Sequence, residues 1–276
     1  DEARRRAIAA TPPPDRGGAE ADPALRIAPL GSGSDYTAFL QHLTIASLNI
    51  GYGGEDNGGI YHSIYDSFAW YTKFSDGDFT YGRALAQTVG TLLMRLAAAP
   101  VLPFQFTDYA TTIERYVADV DRLQASRAGA DATIDLLPLR AAVARLKTAA
   151  AAWEGEMGAL PAMPSSAVLA RDADLKALNG LLLTSERSFA LENGLPRRDW
   201  FRHAIYAPGF YTGYGVKTLP MLREGIEEGQ WAEARAAVPA IVGALDALSA
   251  QVDRAAGVLR GITSGARSNS RQDDSL

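Results

Sequence analysis

The residues of this chain best suited to chemistry are Tyr61 and His62, in the run Gly58-Gly59-Ile60-Tyr61-His62-Ser63-Ile64-Tyr65-Asp66-Ser67. An imidazole can offer an unprotonated ring nitrogen to a metal ion. A neighbouring tyrosine hydroxyl can donate to an oxyanion as it develops. A histidine beside aromatics is also a common packed, hydrogen-bonded residue, so the pair alone leaves both readings open. The chain has only three histidines. His42 has no partner at metal spacing, and His203, in Phe201-Arg202-His203, reads as structural. No HxxxH or HExxH pattern occurs. Asp35, Asp56 and Asp66 could approach a metal, yet each serves equally as a cap, a turn residue or a surface charge. With no cysteine, thiolate metal sites, disulfides and a cysteine nucleophile are excluded. A zinc ion takes about four ligands, so a lone His62 would need donors from elsewhere.

The elements that must position this pair follow from spacing and punctuation. Residues 2–10 read as a short helix, followed by a loop rich in Pro, Gly and Ala as far as Pro23. Gly31-Ser32-Gly33-Ser34-Asp35 reads as a tight turn, with Ser34 capping a helix whose apolar face is Tyr36, Phe39, Leu40 and Leu43. Residues 45–50 read as a short buried strand. A glycine-rich loop leads to Tyr61-His62. Asp78 is expected to open a long helix with Tyr81, Leu85, Val89, Leu92 and Leu96 on one side. Pro100 to Pro103 marks a boundary. Beyond it Thr107 or Asp108 is expected to cap a helix carrying Ile113, Tyr116, Val117, Val120 and Leu123. Further helices are expected over 136–157, with Leu139, Val143, Leu146 and Trp153, and over 165–191, ending at Asn193-Gly194. The last helix places Val238, Ile241, Leu245, Leu248, Val252, Ala255, Leu259 and Ile262 in one narrow stripe facing a partner helix.

Three ordered blocks carry a resemblance: Leu30-Gly31-Ser32-Gly33-Ser34-Asp35, then Ile60-Tyr61-His62-Ser63-Ile64-Tyr65, then Trp200-Phe201-Arg202-His203-Ala204-Ile205-Tyr206-Ala207-Pro208. Val101-Leu102-Pro103-Phe104 and Gly194-Leu195-Pro196 lie between them. Over about residues 25–262 the chain resembles the C-terminal half of glutamate carboxypeptidase II and its bacterial relatives. That family of two-zinc exopeptidases also includes the transferrin receptor. The resemblance implies an α/β C-terminal piece of a zinc-peptidase domain over 25–100, then an all-α helical dimerisation domain over 101–262. The chain would be mostly helical overall, with a flexible segment over 1–24 and a disordered tail over 263–276.

The same resemblance implies that His62 is a terminal zinc ligand and that Tyr61 supports the tetrahedral intermediate. Ser32, Gly33 and Ser34 match a loop that touches substrate, and Tyr214 matches a tyrosine that binds the substrate's terminal carboxylate. The third loop residue is usually Asn and is Ser34 here. The lysine of glutamate-specific members aligns with Gly213, and their arginine patch falls on Asn49 and Gly51. An acidic substrate side chain needs cationic partners, so strict glutamate specificity is not expected. Two zinc ions, a peptide substrate and a homodimer formed through the helical domain are implied for the intact protein. The missing ligands and general base are expected from an upstream segment or a second polypeptide, which leaves the 276-residue chain inactive alone. A non-catalytic binding or dimerisation module is the alternative.

Net charge of −5 argues against a nucleic-acid partner. No run of about 18 apolar residues occurs, so no membrane span is expected. The start, Asp1-Glu2-Ala3-Arg4-Arg5-Arg6, lacks a signal-peptide pattern and an initiating Met, as in a fragment or a processed product. The resemblance implies an extracytoplasmic location, periplasmic or secreted, for the intact protein.

Overall fold

The structure, a computed structural model, describes residues 27–53, 60–127, 133–162 and 165–273. The helix expected over 2–10, the segment 1–24 and Asp56 lie outside the described residues. Eight α-helices and one two-stranded hairpin are described. They are α1 (Phe68–Phe74), α2 (Thr80–Ala98), α3 (Phe106–Arg127), α4 (Leu137–Ala159), α5 (Ser165–Leu169), α6 (Asp172–Leu183), β1 (Tyr206–Pro208), β2 (Val216–Thr218), α7 (Pro220–Glu227) and α8 (Trp231–Asp273). The chain is mostly helical, as expected.

One apolar core joins α3, α4, α6, α7 and α8. The eight expected stripe residues of α8, from Val238 to Ile262, are all buried, chiefly against α4. Leu139, Val143, Leu146 and Trp153 of α4 are buried in return. The stripe therefore packs within one chain. The 34-residue stretch Trp231–Ser264 is the one described helix long and apolar enough to cross a membrane, but its apolar side is this core. Helical backbone runs on to Asp273, past the point where a disordered tail was expected to begin. No proline follows Pro239 in this helix, so nothing in the sequence forces the backbone to stop at Ile262.

Polar contacts fix the entry to this core. Asn179 of α6 accepts from the Leu102 amide at 3.0 Å and donates to the Pro100 carbonyl at 2.9 Å. The Trp153 indole donates to the Phe104 carbonyl at 2.9 Å. Thr107 and Asp108 do not cap α3; the Thr107 amide is met instead by Glu154 of α4 at 2.9 Å. A carboxylate there also suits the positive end of the helix dipole.

Two further expectations are corrected. Residues 45–50 form no strand: Leu48 is 55% exposed, and no described segment pairs with them. A short apolar run becomes a strand only where a neighbour accepts its backbone groups. The single helix over 165–191 is broken into α5, α6 and a 3₁₀ turn, Ser185–Phe189. The last part is drawn off by antiparallel pairing, with Leu191 donating to the Arg202 carbonyl and Ala204 to that of Phe189. Asn193-Gly194 thus sits in a turn rather than a helix cap. The helix expected after Asp78 forms as α2, with Leu85, Val89, Leu92 and Leu96 half-buried on one side and Tyr81 67% exposed. Full burial of an amphipathic stripe needs a facing layer, and no described element packs closely over this one. Its N-terminus is capped by two carboxylates: Asp76 accepts from the Tyr81 and Gly82 amides, and Asp78 from Thr80.

Inside the bundle, Glu186 gathers a buried polar cluster. His203 is fully buried; its Nδ1 accepts from the Ile205 and Tyr206 amides, which leaves the proton on Nε2, 2.8 Å from Glu186. The structural reading of His203 agrees with this geometry. The Tyr109 hydroxyl also donates to Glu186, at 3.3 Å. Burial, followed by the Glu186 charge, pushes the Tyr109 phenol well above its ordinary value of 10.0. A phenol raised on folding contributes stability that is complete below the unfolded value and is lost as pH rises towards the folded one. Thermal stability should therefore fall as pH climbs above 10, and Tyr109→Phe should make that fall shallower. Melting temperatures with the same slope in both proteins would contradict this.

Candidate functional site

Ser32, Gly33 and Tyr214, which the sequence resemblance suggests for substrate binding, come together in space. Residues 209–215 form the loop between β1 and β2, which pair antiparallel in the register Tyr206–Thr218, Ala207–Lys217 and Pro208–Val216. The loop is closed by hydrogen bonds from Gly209 to the Gly215 carbonyl, from Thr212 to that of Gly209, and from Gly215 to that of Thr212. This places Tyr214 against the turn at residues 31–34. The Ser32 amide donates to the Tyr214 carbonyl at 3.1 Å. A Cβ on Gly31 would lie 2.0 Å from that carbonyl, and one on Gly33 would lie 2.8 Å from the Tyr214 ring. Both glycines are required by close approach, and Gly33 also has φ +96. Ser34 is exposed, and Tyr214 keeps 57% of its surface open. Ser34 does not cap the following turn with its side chain; its carbonyl accepts from Thr37.

Sequence reasoning missed the residues that hold this arrangement. Gln41, on a short π-helical turn Ala38–His42, is fully buried. Its side-chain amide donates to the carbonyls of Leu30 and Gly31, both at 2.9 Å, and its backbone carbonyl accepts from Arg202 at 2.7 Å. One residue thus ties the 31–34 turn to the segment before the hairpin. Beside it His42 stacks on Trp200 and meets the Trp200 carbonyl at 2.7 Å, a structural role. Arg198 and Glu224 form a buried ion pair under the hairpin. Arg198 also donates to the Pro208 carbonyl, and Glu224 accepts from the Phe210 amide at 2.7 Å. Burial pushes the Glu224 carboxyl above its ordinary value, opposed by the Phe210 amide and Arg198. No local sequence pattern marks these contacts, since the partners are distant along the chain.

Tyr61 and His62 occupy a separate exposed turn. The Ser63 amide donates to the Ile60 carbonyl at 2.9 Å, and the Ser63 hydroxyl accepts from the Tyr65 amide at 3.1 Å. His62 has φ +60, a left-handed conformation that costs a non-glycine residue about 1–2 kcal/mol. The Tyr61 and His62 rings stack at 3.8 Å between centroids. Both residues are exposed. No described hydrogen bond or ring contact joins this turn to the 31–34 turn or to Tyr214. Among the described residues no group of three or more His, Cys, Asp or Glu side chains could hold a metal ion. These residues therefore do not make a zinc site on their own. Asn49 and Gly51 are exposed and uncharged, and Gly213 has open space above it.

Similarity to known proteins follows the same geography. Residues 134–253 match the transferrin receptor-like dimerisation domain, which covers most of the helical core. The chain is 31% identical over 200 residues to a probable glutamate carboxypeptidase, LAMP1, of Arabidopsis thaliana, covering 72% of this chain and 27% of that protein. It is 35% identical over 204 residues to a probable glutamate carboxypeptidase of Arthroderma benhamiae, with the same coverages of 72% and 27%. Identity to the aminopeptidase NAALADL1 of Mus musculus is 28% over 235 residues, covering 80% of this chain and 30% of that protein. The chain carries a transferrin receptor-like dimerisation domain. Over the matched residues it is similar to members of the transferrin receptor/glutamate carboxypeptidase family. These three relatives come from a plant, a fungus and a mammal, and do not speak for the bacterial branch. The chain spans less than a third of the length of each of them.

The contact between the 31–34 turn and the hairpin is directly testable. Gly31→Ala should push the two loops apart, because the new methyl meets backbone rather than a yielding side chain. Amide exchange at Ser32 and Gly215 should accelerate in this variant while the core of α4 and α8 keeps its protection. Unchanged exchange at both amides would refute the assignment.

Proposed function

We propose that the intact protein is a zinc-dependent exopeptidase acting on peptides, and that this chain supplies its dimerisation domain and part of its substrate site. The observation that carries this reading is the meeting of Ser32 and Gly33 with Tyr214, residues far apart in the chain that form one exposed edge. The named activities of the relatives, carboxypeptidase and aminopeptidase, support the reaction class. In this reading the 31–34 turn and the Tyr214 ring bind and orient the peptide. The Tyr61 hydroxyl donates to the substrate carbonyl oxygen as it becomes tetrahedral. His62 offers one ring nitrogen to zinc, and its left-handed backbone is consistent with a conformation kept for a role other than stability. The other ligands and the general base come from outside the described residues, from an upstream segment of the same protein or a second polypeptide. The chain alone is inactive.

Two subunits associate through the helical domain, using surface other than the buried stripe of α8. Lack of cationic side chains at Asn49, Gly51 and Gly213 favours peptides without a strict requirement for an acidic residue. The domain division near residue 100 and an extracytoplasmic location are part of the same proposal. A non-catalytic binding module is the second reading, favoured by the incomplete set of metal donors among the described residues.

Replacement of His62 by Ala in the intact protein decides between them. Zinc content and peptide turnover should both fall, with turnover lost by about 100-fold or more. Tyr61→Phe should reduce kcat by about 100-fold while leaving zinc content unchanged. Parent-level metal and turnover in His62→Ala would sink the peptidase assignment.

A further inference from the structure

The hairpin that carries Tyr214 is only three residues wide on each strand, too short to define its own loop. Something else must hold that loop, and the Arg198–Glu224 pair lies at its base. The two side chains are 11% and 9% exposed. Glu224, on α7, spends one carboxylate oxygen on Arg198 and the other on the Phe210 amide. Arg198, in the turn that precedes β1, spends one guanidinium nitrogen on Glu224 and another on the Pro208 carbonyl. Pro208 and Phe210 flank Gly209, the first residue of the loop. A single buried pair therefore grips the backbone on both sides of the point where the loop departs from β1.

A purely stabilising role fits this pair poorly. Arg198 Nε is buried without a hydrogen-bond partner among the described residues. A buried ion pair with an unmet donor returns little net stability, because desolvation offsets the attraction. Fixed direction is what the pair supplies: a planar guanidinium and a carboxylate, each bound to backbone, allow one position for residues 208–210. Neighbouring charges do not compete for it. Arg197 is engaged by Glu228 and Glu233, and Lys217 by Glu227.

We propose that Arg198 and Glu224 are positioning residues for the substrate side of the site, holding the 209–215 loop so that Tyr214 stays seated over Gly33. That Tyr214 meets substrate rests on the proposed function; that the pair sets the loop does not. Loss of the pair frees the loop base, lifts the Tyr214 ring from Gly33 and weakens the Ser32–Tyr214 hydrogen bond.

The test uses the intact protein with Arg198→Met/Glu224→Leu, which removes both charges together and leaves neither buried alone. Amide exchange is read at Ser32, Thr212 and Gly215, whose own partners are untouched by the substitutions. Their exchange should quicken by at least about tenfold while the melting temperature and the protection of α4 and α8 stay near the parent's. In the active protein KM should rise by about tenfold with kcat within about threefold. Should the double variant melt early, the isosteric Glu224→Gln is measured in the same way, with the same local quickening expected. Parent-level protection at the three amides overturns the proposal, as does a uniform rise in exchange across the whole helical core. A parent protein that cleaves no peptide defeats the proposed function, and the exchange measurement still decides the role of the pair.

Discussion

The helical core of this molecule depends on α8 spending its narrow apolar stripe inside its own chain. The residues from Val238 to Ile262 fill the space against α4, and α6 and α7 close around the same helix. Burial of large aliphatic side chains is worth roughly 1.5–3 kcal/mol each, so this seam dominates the favourable side of folding. Ion pairs such as Arg145–Asp246 and Arg260–Glu156 border the seam but are half-exposed and add little. A helix committed in this way cannot also offer its stripe to a second subunit.

The core then reaches outward to the candidate site through polar contacts of fixed direction. His203 is held as one tautomer by two amides and Glu186, and it starts the segment that becomes β1. Gln41 bonds to the 31–34 turn with its side chain and to Arg202 with its backbone. The edge formed by the 31–34 turn and the 209–215 loop is therefore an outgrowth of the helical core. The Tyr61-His62 turn is not; it precedes α1 and α2, neither of which buries a residue.

Helices α3, α4 and α8 were legible because their apolar residues recur every three or four positions, and their expected faces are buried or half-buried. Segments without that redundancy were not. The 45–50 run has strand-like composition, but composition cannot reveal whether a neighbour exists to pair with it. The 165–191 stretch has helical composition, yet its end is captured by hydrogen bonding to residues 202–204. The same division holds in the site. Glycines at 31 and 33 and the tyrosine at 214 stand out as residue types, and the structure brings them together. Arg198, Glu224 and Gln41 do not stand out, because a charge or an amide becomes informative only once its burial and its partner are known.

The junction at residues 100–104 has a practical corollary for dissecting the chain. Pro100 and Leu102 satisfy both ends of the Asn179 side-chain amide, and Phe104 supplies the acceptor for a buried indole. A helical portion cut out to begin at α3 would leave the buried Trp153 indole without its acceptor and the half-buried Asn179 amide without either partner. Its natural edge lies ahead of Pro100: the short irregular segment is a fitted plug of the bundle rather than a tether leading to it.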